Sequence, residues 1–122
     1  MRVYIPVTIA DVERRRTDGF WTISERRAWA VNQLLAKALP DEDDEGREYV
    51  ASLTAASASP AQLAIAADLP TSMLGDEGVG GDVQVSGPIA DNLVACLLRL
   101  DPADDESLLW FAPSELDALL NL

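Results

Sequence analysis

Residues 20–39 read Phe20-Trp21-Thr22-Ile23-Ser24-Glu25-Arg26-Arg27-Ala28-Trp29-Ala30-Val31-Asn32-Gln33-Leu34-Leu35-Ala36-Lys37-Ala38-Leu39, and the state assigned to them settles what kind of fold the chain can have. Thr22-Ile23-Ser24-Glu25 has the form of a capping box, in which the Thr22 hydroxyl accepts from the Glu25 backbone while the Glu25 carboxylate reaches back. Beyond it, Ala28, Val31, Leu34, Leu35, Ala38 and Leu39 fall on one face at about 100° per residue. Pro40 then stops the run. The pattern predicts an amphipathic helix over residues 23–39. With Ala28 at the centre of its apolar face, Trp29 lies about 100° away on the shoulder, and Phe20 and Trp21 come just before the helix.

Upstream, Val3, Ile5 and Val7 alternate with Tyr4 and Pro6, a strand whose proline belongs at an edge or near the strand end because it has no N–H to donate. Thr8-Ile9-Ala10-Asp11 opens a short helix with Ile9 and Val12 inward, and Gly19 ends it. Downstream, a second long helix is expected from about Asp43 to Ala58, with Tyr49, Leu53 and Ala56 on one stripe. Leu63, Ile65, Ala67 and Leu69 alternate as a strand before Pro70. Gly75 to Asp82 reads as a loop, and Val83 and Val85 as a strand broken by Gly87-Pro88. Leu93 to Leu100, apolar on both alternating faces apart from Arg99, suits a strand inside a sheet. Ser107 to Phe111 gives a last short strand, and Pro113 with Ser114-Glu115-Leu116-Asp117 launches a terminal helix that turns Leu116, Leu119 and Leu120 inward. Helices grouped between the first strand and the others predict one α+β domain over residues 1–122: a single mixed β-sheet of four to five strands with helices packed mainly on one face. A first crossover between parallel neighbours would be right-handed.

With 122 residues, 48% hydrophobic and 25% charged, the chain can build one core but not two halves with a cleft between them. It has no histidine, which removes imidazole bases, Ser-His and Cys-His nucleophile pairs and histidine metal sites. Nine basic and 21 acidic residues give a net charge of -12, which opposes phosphate attraction and argues against nucleic acid as a partner. Residues 1–39 carry seven bases and four acids, and residues 40–122 two bases and 17 acids. The basic segments are expected to lie against the acidic remainder and partly neutralise it; the sharper alternative is an acidic face that docks a basic partner. Cys96 is the only cysteine and, within an apolar run, reads as a small buried hydrophobe; with no disulfide to form, the chain fits a reducing interior or simply does without bridges. The N-terminal apolar run is too short for a signal sequence, and no stretch nears the roughly 20 apolar residues that cross a bilayer. The expected setting is soluble and cytoplasmic, away from membranes.

Several groups of residues invite a chemical reading. Asp41-Glu42-Asp43-Asp44-Glu45 is the densest charge run, but it lacks the alternating oxygen ligands of a calcium loop and sits where acids favour a helix N-terminus. Gly75-Asp76-Glu77-Gly78-Val79-Gly80-Gly81 is glycine-rich, yet it carries acids and leads into a strand, unlike a phosphate loop. Arg14-Arg15-Arg16 and Arg26-Arg27 form the basic cluster, and successive helical residues diverge too far to grip one anion. Asp68 and Asp101 each close a strand; if those strands run parallel, the two carboxylates share one sheet edge and could hold magnesium. Trp29, with Trp21 and Arg26 close by, could anchor a partner or a second copy in a homo-oligomer. No cofactor is implied.

The opening Met1-Arg2-Val3-Tyr4-Ile5-Pro6-Val7-Thr8, the segment Ala66-Ala67-Asp68-Leu69-Pro70 and the ending Leu108-Leu109-Trp110-Phe111-Ala112 together resemble a family of small acidic actinobacterial proteins without an assigned function. The resemblance implies a bacterial, cytoplasmic setting and brings no catalytic residues with it. Eight arginines against one lysine, with 18 alanines, agree with a GC-rich genome. The first functional expectation is therefore a non-enzymatic module that binds or regulates a basic protein through acidic complementarity. The second is a magnesium-dependent enzyme acting on a small phosphorylated substrate through Asp68 and Asp101.

Overall fold

In a computed structural model, which describes residues 1–78 and 81–121, the chain forms β1 (Arg2–Val7), α1 (Ile9–Asp18), β2 (Phe20–Ala30), α2 (Gln33–Ala38), α3 (Asp44–Ala58), β3 (Leu63–Asp68), β4 (Leu74–Glu77), β5 (Asp82–Ala90), β6 (Val94–Asp101), β7 (Asp104–Phe111) and α4 (Leu116–Leu120). The strands make one sheet in the order β4-β5-β2-β1-β3-β6-β7, and every neighbouring pair is antiparallel. The expectation of a mixed sheet of four to five strands is thereby corrected to seven antiparallel strands. β1 and β2 are antiparallel neighbours, so the rule for parallel crossovers does not apply to them.

The largest correction falls on residues 20–39. They form the strand β2 and the short helix α2, not one helix over 23–39. Phe20–Ile23 pair with Gly87–Ala90, and Arg26–Trp29 with Asp82–Val85. Between Ile23 and Arg26 the register shifts: Ser24 and Glu25 together face Ser86, a β-bulge. Side chains alternate with a period of two, so one extra residue swaps the faces of everything after it. Trp21 and Ile23 therefore share a face with Ala28 and Ala30, while Trp29 points to the other. The slip hides the alternation, and the helical spacing that follows it arises because β2 runs on into the real helix α2. Phe20, Trp21, Thr22, Ile23 and Trp29 are all residue types that suit a pleated surface, and tertiary pairing takes them. Thr8 and Asp11 form the real capping box, at the start of α1.

Helices lie on both faces of the sheet, not mainly on one. One core joins Val3, Ile5, Val7, Leu63, Ile65 and Leu97 with Val12 of α1 and Leu116 and Leu119 of α4. Leu74 of β4 and Phe111 of β7, from the two outermost strands, pack against that same cluster, so this core extends across the whole width of the sheet. The other core joins Tyr4, Trp29, Ala64, Ala66, Leu98 and Leu100 with Leu35 of α2 and Ala51, Ala55 and Ala56 of α3. The small face of α3 meets a small face of β3, which lets the backbones approach closely. The expected stripe turns accordingly: Ala51, Ser52, Ala55 and Ala56 are buried, while Tyr49 remains 45% exposed. Ile9, expected inward, is also exposed. Burial on both sides explains why β1 and β3 are apolar at nearly every position.

The prolines mark where ladders end. Pro6 pairs with Ala64 on one side, but the β1–β2 ladder covers only Val3 and Tyr4. β5 runs through Gly87-Pro88, with Pro88 opposite Thr22. β4 covers β5 only as far as Val85, which leaves an open edge where a proline displaces no ladder bond.

Candidate functional site

The bulge in β2 opens a gap beside β1, and Arg26 fills it. Its guanidinium donates to the Pro6 carbonyl at 3.0 Å and to the Asp11 carboxylate at 2.7 Å. Burial raises the affinity of Asp11 for a proton, but the Arg26 hydrogen bond and the Thr8 backbone N–H more than offset this and hold its carboxyl below the ordinary value. Beside this bridge lies a groove of about 390 Å³, walled by Pro6, Val7, Thr8, Arg26, Arg27, Trp29 and the Ala58-Ser59-Pro60 end of α3. The Arg27 guanidinium lies 5.1 Å from the Trp29 ring centroid, in cation–π range, and also meets Asp82 at 3.1 Å. The Ser59 hydroxyl donates to the Val7 carbonyl at 2.6 Å, tying the helix end to the strand. Both guanidinium groups are matched by carboxylates, so the groove is a near-neutral slot with an aromatic wall. Its lining combines the apolar surfaces of Pro6, Val7, Ala58 and Pro60 with the two paired guanidinium groups.

Of the residues singled out in the sequence, Trp29 and Arg26 come together at this groove. Trp21 does not: it is 1% exposed, within the core on the opposite face. Trp29 is itself only 8% exposed, a wall and not a projecting anchor. The condition placed on Asp68 and Asp101 fails, because β3 and β6 are antiparallel with Ala67 level with Val94 and Leu63 with Arg99. The two carboxylates stand at opposite ends of the sheet, roughly 20 Å apart at 3.3 Å per residue. Asp68 instead receives two hydrogen bonds from Arg2, at 2.7 and 3.0 Å, and they hold its carboxyl below the ordinary value. The magnesium reading loses its ligand pair.

The other groups resolve similarly. Asp43 caps α3 by accepting from the Gly46 N–H at 2.7 Å. Gly75 to Glu77 belong to β4 and not to a loop; Val79 and Gly80 of that glycine-rich run lie outside the described residues. The three successive arginines part as helical geometry requires: Arg14 to Asp18, Arg15 to Asp91, Arg16 to Glu13 and Asp117. Cys96 is half-buried, and burial pushes its thiol up. Pro6, Ser59 and Pro60 were not legible as site residues, and Arg27 only as part of the basic cluster, because they meet only through the β2 bulge and the return of α3. The one local hint was Pro6 itself, a proline in an otherwise regular strand.

The charge pattern is the second feature. Arg2, Arg15, Arg16 and Arg27, all from the first 39 residues, pair with acids beyond residue 39, so the expected internal neutralisation occurs. Arg99 donates to the Leu119 carbonyl. Eight of the 21 acids take part in ion pairs, which leaves thirteen without an arginine among the described residues. Asp41, Glu42, Asp43, Glu45 and Glu48 crowd the start of α3, and Asp101, Asp104, Asp105 and Glu106 crowd the β6–β7 hairpin. The Tyr49 hydroxyl donates to the Glu106 carbonyl, bringing the two segments side by side.

A family model described as a family of unknown function, DUF6912, matches residues 1–98. The chain belongs to the DUF6912 family. The part of this DUF6912 chain within the match includes the whole groove and the strands β1 to β5, whereas β7 and α4 lie beyond it. Comparison with curated proteins and with solved structures gives no match. Among the described residues of this DUF6912 protein, no helix is long and apolar enough to cross a membrane.

Proposed function

We propose that this chain is a non-enzymatic binding module that docks a basic protein surface along α3. The observation that carries this reading is the separation of charge: the arginines are spent on internal contacts, and the unmatched carboxylates gather at the start of α3 and on the adjoining hairpin. Charge arranged in this way speeds and orients association more than it adds affinity. α3 has 15 residues, about 22 Å of helix, with the acids at one end and the groove at the other. A partner lying along it would meet the acids first and set an apolar side chain against Trp29 and the stem of Arg26.

The test is affinity enrichment from extracts of the source cells at low and high salt. It compares the native protein with a variant carrying Asp41→Asn, Glu42→Gln, Glu45→Gln and Glu48→Gln, and Asp43 is kept because it caps the helix. The expected result is a basic partner held at low salt by the native protein, lost at high salt and lost by the variant. No partner above background at low salt, or equal retention by the variant, would overturn the reading.

A further inference from the structure

We propose that the outer edge of β7 is a self-recognition site, through which two copies of the chain pair edge to edge about a twofold axis at Leu109. The Leu100 N–H donates to the Gln62 carbonyl, so the backbone of Leu100 faces β3, away from β7. Leu100 lies opposite Leu108, and in an antiparallel ladder such a pair turns both backbones outward. By alternation the N–H and C=O of residues 108 and 110 point to the open side, in the stretch from Leu108 to Phe111 where the ladder with β6 runs unbroken. The residues that flank this stretch are satisfied within the chain. Glu106 donates to Asp104 and accepts from Tyr49; Ala112 donates to the Glu115 side chain and accepts from the Glu115 N–H. Leu108 and Trp110 are left with two donors and two acceptors, placed symmetrically about Leu109. Antiparallel pairing with a second copy makes Leu108 face Trp110 and Trp110 face Leu108, and all four groups bond to one another.

The side chains fit the same register. Trp110 is 57% exposed, more than any other large apolar residue described, and it would cover Leu108 of the second copy, an aromatic–aliphatic cross-strand pair. A parallel in-register pairing would stack Asp104, Asp105 and Glu106 on their own copies, acid on acid, which an antiparallel pairing about Leu109 avoids. The outer strand at the other side of the sheet, β4, is short and carries Asp76 and Glu77, which fits it poorly for the same role.

Sedimentation of the whole chain over a wide concentration range should show a monomer giving way to a species of twice its mass. Salt should favour the dimer, since each copy carries -12; partner docking through the acids weakens with salt, so the two readings fail separately. Trp110→Pro removes an N–H that points away from β6, and should leave the melting temperature nearly unchanged while abolishing the dimer. In a Cys96→Ser background, Leu109→Cys places two thiols opposite each other at the axis, within disulfide range, and mild oxidation should crosslink it. Ser107→Cys, which falls opposite Phe111, should crosslink at least tenfold less. A monomer at every concentration and salt, a dimer that survives Trp110→Pro, or equal crosslinking at 107 and 109 would each overturn the proposal.

Discussion

Two side chains beside the groove carry more than their own packing. Trp29 is buried against α3 and bears the Arg27 guanidinium on its ring, so Trp29→Ala should cost about 3–5 kcal/mol, the range for emptying an aromatic core position. Chemical denaturation measures it, and a loss under 1 kcal/mol would show that the ring is not part of the core. Arg26 joins Pro6 to Asp11, with both charged side chains largely shielded from water. Because the folded-state proton affinity of Asp11 is depressed, the unfolded chain binds the proton more readily. This contribution is fully present above the unfolded value and fades as pH falls through the folded one. Stability of the native protein should therefore fall more steeply on acidification than that of Asp11→Asn, and the gap between them should close at low pH. Parallel acid limbs in the two proteins would contradict it.

β2 is the element on which the architecture turns. Its bulge places Trp21 in one core and Trp29 in the other, and it opens the gap that Arg26 fills. Deleting Glu25 removes the extra residue and forces Trp29 toward the face of Trp21. The expected loss is on the order of 3–5 kcal/mol or outright unfolding, seen as a lowered melting temperature with loss of near-ultraviolet tryptophan signal. A deletion variant as stable as the parent would mean that the bulge is incidental. The same element shows why the sequence misleads here. Ala28, Val31, Leu34 and Leu35 fit a helix because the end of β2 runs within two residues into the real helix α2, so one apolar spacing spans both, and nothing local marks an extra residue at Ser24-Glu25. Where alternation or capping runs uninterrupted, in β1, α1, α3 and β3, the elements were legible to within a few residues.

At the scale of the whole molecule the balance of charge sets the response to salt. Exposed ion pairs contribute about 0–1 kcal/mol each, and salt weakens them, but thirteen unmatched carboxylates repel one another across the same surface. Repulsion outweighs the pairs, so added sodium chloride should raise the melting temperature, by roughly 3–6 °C for each ~1 kcal/mol of repulsion relieved. A melting temperature that falls with salt would show the ion pairs to be the larger effect. By itself the sequence determined that the chain is acidic and mixes helices with strands, that histidine chemistry is excluded, that α3 starts at a cluster of acids, and that Arg14 to Arg16 cannot share an anion, because composition and helical spacing are local properties. Only the tertiary structure decided the number and direction of the strands, the two-sided covering of the sheet, the separation of Asp68 from Asp101 and the meeting of Pro6, Arg26, Trp29 and Ser59. Each of those depends on which strands pair and in what register, and register is fixed by hydrogen bonds between segments far apart in the chain, which no short stretch of sequence contains.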